Sequence, residues 1–268
     1  MREWLKRFIR ADQETSPSRV TYGNLWAGEA NVLAVERPLC NCLDAQYQES
    51  SKRRWRNLHI HCEEQDTGSP AWNRLLELVD RAAKDGREEF APGREMDATE
   101  WTTIVALPRS IALLKSVKHL ILYGSSLTRI PPEIGEMSKL EKFSPYTSYR
   151  LHWFPYEIVR CKNLVESTVS TRALYGNYKY RPPFPSLPQS ASILAPERCS
   201  VCNGPFGEGG PMQRWISLRV ATDVLPLLVH ACSEDCIGRL QAPPAKYIDT
   251  PHTGGPAIQQ PAVDPFYN

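Results

Sequence analysis

The sequence predicts a mixed α/β protein in which short parallel strands stack through a repeating return segment. Three observations predict it. Proline and aliphatic positions recur every 23 and then 24 residues between positions 107 and 164, a strand-and-helix pattern precedes them, and two close cysteine pairs follow. Self-similarity at such a period marks units that bury their apolar faces only against one another.

Composition sets the outer bounds. The 268 residues carry 32 Lys+Arg against 30 Asp+Glu, with 41% hydrophobic and 23% charged residues, as in ordinary soluble chains able to bury a real core. A net charge of +2 is too small for a dedicated nucleic-acid binder. No window approaches the roughly 18 uninterrupted apolar residues of a membrane helix. Met1 to Arg10 interleaves five charges with its apolar residues, unlike a secretory signal, so a cytoplasmic location is expected. Eight cysteines are too few for a disulfide scaffold, and in a reducing compartment close pairs point to metal.

Residues 1–104 read as a capping region. Trp4, Leu5, Phe8 and Ile9 have helical spacing, for a helix docked on its own domain or offered to a partner or membrane surface. Residues 31–35 suit a short strand. In WRNLHIHC, Leu58, Ile60 and Cys62 alternate with His59 and His61, which predicts a strand over 57–62. Ser69 as N-cap and Pro70 in the first turn open a helix over 70–85, with Trp72, Leu75, Leu76, Leu78, Val79 and Ala82 on one face and Gly86 ending it. The charged stretch 84–100, with Pro92 and Gly93, reads as an exposed connection, and Glu63-Glu64 and Glu88-Glu89 as solvated faces.

Residues 105–181 hold the repeat. Pro108, Pro131 and Pro155 align, as do Ile111, Ile134 and Ile158, then Leu114, Met137 and Cys161, then Val117, Leu140 and Leu164. Leu120 and Leu122 are expected to point inward, Ile121 and Tyr123 to the open face. The columns resemble a leucine-rich repeat, LxxLxLxxNxL, matched by Val117, Leu120, Leu122 and Leu127, with Ser125 at the Asn position. The resemblance implies a short, degenerate solenoid of three or four parallel-strand rungs. Ser125 and Ser148 satisfy fewer backbone groups than Asn, so a less ordered turn is expected. Pro145 stands where an inward strand residue belongs, and a third strand is expected near 165–174. In this architecture the strand exteriors bind proteins, which makes Lys118, Ile121, Tyr123, Glu141, Ser144 and Tyr146 candidate partner contacts, with His119, Lys142, Glu166 and Thr168 beside them.

A proline-rich connector, 182–196, leads to a module over 197–242. Cys199 and Cys202 form a CxxC that Gly204 turns tightly; Cys232 and Cys236 form a CxxxC at a helix start, where i and i+4 share a face. Four such donors suit a tetrahedral ion. The pairs resemble treble-clef zinc modules of the TRASH/MYM type, which implies a structural Zn²⁺ held by Cys199, Cys202, Cys232 and Cys236. Four thiolates leave no open position for catalysis. Buried metal-free cysteines, a redox CxxC without its βαβ context, and His230 as a replacement ligand are the alternatives. A hairpin is expected over 213–220 and 225–230. Cys40, Cys42, His59, His61 and Cys62 form a weaker second grouping, which strand alternation would split between two faces.

No nucleophile elbow, phosphate loop, dinucleotide fingerprint or catalytic carboxylate pair occurs. The expected function is a non-enzymatic protein-binding module whose zinc unit caps the solenoid. The alternatives are a nucleic-acid-associated regulatory zinc protein, resting on the basic run 52–56, and a subunit of an enzyme complex. The tail, 243–268, is expected to be extended or disordered, with Phe266 and Tyr267 as possible anchors.

Overall fold

A computed structural model describes residues 59–61, 63–187 and 195–262. The first element, α1 (Pro70–Asp85), begins and ends as its sequence dictates. Ser69 Oγ accepts the Trp72 amide, Pro70 needs no amide partner in the first turn, and Gly86, at φ 65°, closes the helix in the left-handed conformation. Leu75, Leu78, Val79 and Ala82 are buried on one face.

The stretch 84–100 is not the exposed connection expected. It folds into β1 (Glu89–Phe90), α2 (Pro92–Glu95) and, overlapping its end, α3 (Ala98–Thr103). Each of β1 and α3 buries one large side chain, Phe90 and Trp101, while the charges between pair laterally: Arg87 with Glu95 at 2.7 Å and Arg94 with Glu89 at 2.5 Å. Asp97 caps α3, accepting the Thr99 amide at 2.8 Å while Glu100 accepts the Asp97 amide at 3.3 Å.

The strand expected over 57–62 lies only partly within the described residues. Residues 57, 58 and 62 lie outside the described residues, and His59 to His61 form no strand. Alternation supplied no ladder partner here; His61 is buried instead by stacking on His152, ring centroids 5.0 Å apart. Glu63, expected in solvent, is buried and ion-paired with Arg150.

The main sheet is parallel, in the order β1, β2 (His119–Ile121), β3 (Lys142–Ser144), β5 (Glu166–Ser167). His119 pairs with Lys142 and Lys142 with Glu166, so the 23- and 24-residue intervals are the register of the ladder. Return segments contain 3₁₀ turns at Arg109–Leu113, Pro132–Glu136 and Tyr156–Arg160. Pro108, Pro131 and Pro155 stand at the N-cap of each, with φ of −72°, −74° and −69°. Proline's fixed φ sets the entry angle of each turn at the same point of each course. Ile111, Ile134 and Ile158 are completely buried, and Leu114, Met137 and Cys161 line the neighbouring column. The Cys161 thiol donates to the Ile134 carbonyl at 3.2 Å, and burial pushes its pKa up to about 12. The turns pack so closely that a Cβ at Gly135 would lie 2.6 Å from the Glu157 carbonyl oxygen.

The serine column differs from expectation. Ser125 and Ser148 are buried, with their Oγ atoms 2.7 Å apart. Ser148 Oγ also accepts the Ser125 amide at 3.2 Å and donates to the Leu122 carbonyl at 2.9 Å. One course further on, Ser170 Oγ accepts the Thr147 amide at 2.8 Å. Short hydroxyls satisfy the turn by bonding between courses, where a longer amide would bond within one.

Pro145 has no amide to donate, and β3 stops just before it. The chain then enters a separate mixed sheet, in the order β4 (Phe154–Pro155), β7 (Asp223–Ala231), β6 (Met212–Val220). β6 and β7 form the expected antiparallel hairpin, and β4 joins β7 in parallel. The hairpin turn meets the far edge of the main sheet: the Ser167 amide donates to Thr222 Oγ1 at 3.1 Å, and Ser167 Oγ donates to Asp223 Oδ2 at 2.8 Å. Trp153, Tyr175, Phe184, Trp215 and Leu228 form a second core. The tail is anchored there by His252, which exchanges both backbone hydrogen bonds with Trp215 at 2.7 and 3.0 Å; Phe266 and Tyr267 lie outside the described residues. No described helix is long and apolar enough to cross a membrane.

Leu122→Ala removes a completely buried strand residue and is expected to cost about 2–5 kcal/mol. Ser148→Ala strands the buried Ser125 amide and is expected to cost about 1–3 kcal/mol. Lys142→Ala, on the exposed face, should stay within about 0.5 kcal/mol. Denaturant melts of the three variants check this ranking.

Candidate metal centre

Two local structures deliver the four sulfurs. After the Pro-rich segment the chain turns at Cys199–Gly204, with the Asn203 amide donating to the Cys199 carbonyl and the Cys199 amide to the Gly204 carbonyl, both at 2.9 Å. The left-handed residue of this turn is Asn203, at φ 59°, rather than Gly204 as the sequence suggested. Gly204 serves close approach: its amide donates to Cys202 Sγ at 3.3 Å, and a Cβ would sit 3.2 Å from that sulfur. Cys232 and Cys236 flank the start of α4 (Glu234–Gly238), whose N-cap Ser233 accepts the Cys236 amide at 3.3 Å.

The four Sγ atoms all lie within 4.8 Å of one another. Cys232 Sγ is 3.6 Å from both Cys202 Sγ and Cys236 Sγ, far beyond the roughly 2.05 Å of a disulfide. A tetrahedron of about 2.3 Å Zn–S bonds has edges of about 3.8 Å. The cluster is therefore close enough to hold a metal ion. Cys199 and Cys236 are buried, whereas Cys202 is exposed.

Donors surround the sulfurs. Burial opposes ionisation of Cys199, but the amides of Cys202, Val201 and Cys232 outweigh it and bring its pKa down to about 7. Those N–H groups lie 3.3 to 3.5 Å from its sulfur. Arg239 Nη2 donates to Cys236 Sγ at 2.8 Å, supplying a positive charge one helical turn away. Cys232 is held protonated by its neighbouring thiols Cys202 and Cys236, its pKa pushed up to about 12. Thiols this crowded cannot all ionise without a cation among them.

The knuckle is fastened to the repeat region. Arg160, last residue of the third 3₁₀ turn, donates Nη2 to the carbonyls of Cys199 at 3.2 Å and Ser200 at 2.9 Å. Sequence reading missed Arg160 because its partners are backbone oxygens some 40 residues away; Arg239, three residues past Cys236, was within reach of helix spacing. His230 is outside the sulfur cluster. Its amide donates to Ser200 Oγ at 3.0 Å, and burial pushes its ring pKa down to about 4. Of the second grouping, Cys40, Cys42 and Cys62 lie outside the described residues, and His59 is exposed while His61 is buried.

The candidate contact residues lie on β2 and β3 or just beyond their ends. Lys118 pairs with Glu88 at 2.6 Å and Lys142 with Glu166 at 2.8 Å. His119 Nε2 and Ser144 Oγ are 2.9 Å apart, and the Tyr123 and Tyr146 rings lie 5.6 Å apart. Tyr146 is exposed; Lys118, Tyr123, Glu141 and Ser144 are half-buried. Ile121 pairs with Ser144 in the ladder, belongs to neither buried core cluster and is 8% exposed. No protein-family model matches the chain, and no curated protein matches it either.

Because binding four thiolates must displace protons, affinity for a divalent ion falls as pH falls. Near pH 7 each ion bound should release more than one proton, since Cys232 titrates near 12 and Cys199 near 7. The metal-dependent gain in melting temperature should shrink between about pH 8 and about pH 6. Proton release in weak buffer and melts across that range check both.

Proposed function

We propose that this protein is a non-enzymatic protein-binding module: a short leucine-rich-repeat-like solenoid whose parallel-strand face takes a partner, closed at its far end by a treble-clef-like zinc unit. One observation carries the reading. The 119–142–166 register sets side chains of successive courses in rows, and the rows mix Lys118, Glu141, Lys142 and Glu166 with Tyr123 and Tyr146. Tyrosines among charges of both signs are the composition of protein recognition surfaces.

The all-thiolate donor set favours zinc over calcium or magnesium, which take oxygen ligands. With no open coordination position, the ion would serve to fold the knuckle against α4 and so hold the hairpin. The hairpin turn bonded to Ser167 covers a sheet edge that otherwise invites strand addition.

Protein prepared without chelator is expected to carry about one zinc per chain, released by a thiol-modifying reagent. Cys199→Ser and Cys236→Ser should each lose the metal and melt at lower temperature. A metal content of zero in wild-type protein would sink the zinc reading. For the face, a photo-crosslinking residue at position 146 should give a discrete protein adduct in cells, and one at position 113, an exposed leucine in the first 3₁₀ turn, should not. Equal labelling from both sites argues against the strand face.

A further inference from the structure

Beside the 3₁₀ turns, away from the sulfur cluster, a cavity of about 270 Å³ is walled by the Leu107–Arg109 and Arg129–Glu133 segments, Trp72 of α1, Trp153 and the His230 end of β7. Most of this wall is apolar, with Trp72, Leu107, Ile130, Pro131 and Leu228 forming it. The cavity is just smaller than the usual small-molecule site and has its apolar character.

Two features set it apart from a packing defect. The first is a pair of unpartnered polar groups. Trp153 Nε1 and His230 Nε2 have no hydrogen-bond partner, although the two residues are only 3% and 2% exposed. Leaving such a group unsatisfied in a buried wall costs about 1–3 kcal/mol. The second is a charge, Arg129, that feels Glu63 and Glu64 from a distance but makes no ion-pair contact among the described residues. Arg109 is neutralised by Glu133 at 2.5 Å and Glu197 at 2.9 Å. Arg129 donates Nη1 to the Glu63 carbonyl at 2.8 Å, and among the described residues no carboxylate lies within ion-pair distance of it. A half-buried guanidinium in an apolar wall gains from an incoming anion.

We propose that this cavity binds a small aromatic or alicyclic carboxylate, its apolar body against Trp72 and Pro131 and its carboxylate received by Arg129, with the indole N–H of Trp153 as a second donor. Glu133, whose Oε2 is also buried without a hydrogen-bond partner, is already engaged by Arg109, so Arg129 is the charge in this wall that selects an anionic end. The tryptophans and prolines of the lining select a flat apolar body. His230 Nε2 adds a further polar group in the same wall. The proposed contacts use neither the strand face nor the four sulfurs, so the proposal does not rest on the proposed function.

The test uses full-length protein and naphthalene-2-carboxylate as the probe, followed by tryptophan fluorescence and by saturation-transfer NMR. Saturable binding is expected with a Kd below about 1 mM. The neutral carboxamide should bind at least about tenfold more weakly, and 2-naphthylmethylamine not measurably. Arg129→Gln should weaken binding by about tenfold or more, Arg129→Lys should retain part of it, and Trp153→Phe, which keeps an aromatic ring but removes the N–H, should weaken it about threefold to tenfold. Melting curves establish that each variant is folded, and Trp153→Phe alone decides the matter if both Arg129 variants unfold. A water-filled cavity is the outcome if no saturation appears at several times that concentration. That result overturns the proposal, as does equal binding of acid and amide or wild-type affinity in folded Arg129→Gln and Trp153→Phe.

Discussion

A single course of this chain, one short strand and one 3₁₀ turn, is too thin to bury its own apolar side. Stacking in register is what gives Ile111, Ile134 and Ile158 a common interior, and everything else in the structure is arranged around that constraint. The prolines matter because they start each turn at the same angle, so that one isoleucine falls above the next. Gly135 matters because the turns touch backbone to backbone. The serines matter because a hydroxyl is short enough to bridge two courses from inside the stack. Each device fails if the spacing slips by a residue, since a strand shifted by one turns its apolar side to solvent.

The second sheet and the cysteine knuckle are both fastened to the later courses. β4 stands outside the main sheet and pairs with β7, and the hairpin returns its turn to Ser167. Arg160 ties the third turn to the carbonyls of Cys199 and Ser200. The sulfurs are thus connected mechanically to the last course, and the hydrogen bonds gathered on Cys199 prepare one thiolate in advance of a cation. Under the proposed reading, a metal here stabilises the repeat region from a distance through Arg160 and the hairpin.

How far the sequence was legible follows from the kind of signal each element leaves. The interval of Pro108, Pro131 and Pro155 was readable because each course must meet the same steric demand. Helix α1 was readable from Ser69, Pro70 and Gly86, which satisfy backbone groups locally, and the cysteine pairs from spacing alone. The stretch 84–100 was not, because β1 and α3 each bury a single large residue and charges conceal them. Alternation at 59–61 did not reveal how His61 is buried, because it describes a face and not a partner, and the partner is His152, ninety-one positions on. Arg129, Trp153 and His230 are brought to one cavity only by the fold, and nothing in their spacing announces it.

Stacking in register is tested most directly by native-state hydrogen exchange resolved to single amides. The amides of Leu122, Lys142 and Glu166, which bond to the carbonyls of Ser144, Lys118 and Glu141 in adjacent courses, should open together with one free energy close to that of global unfolding. If Glu166 and Lys142 exchange freely while Leu122 stays protected, the courses are not one stacked unit and the structure described here does not hold in solution.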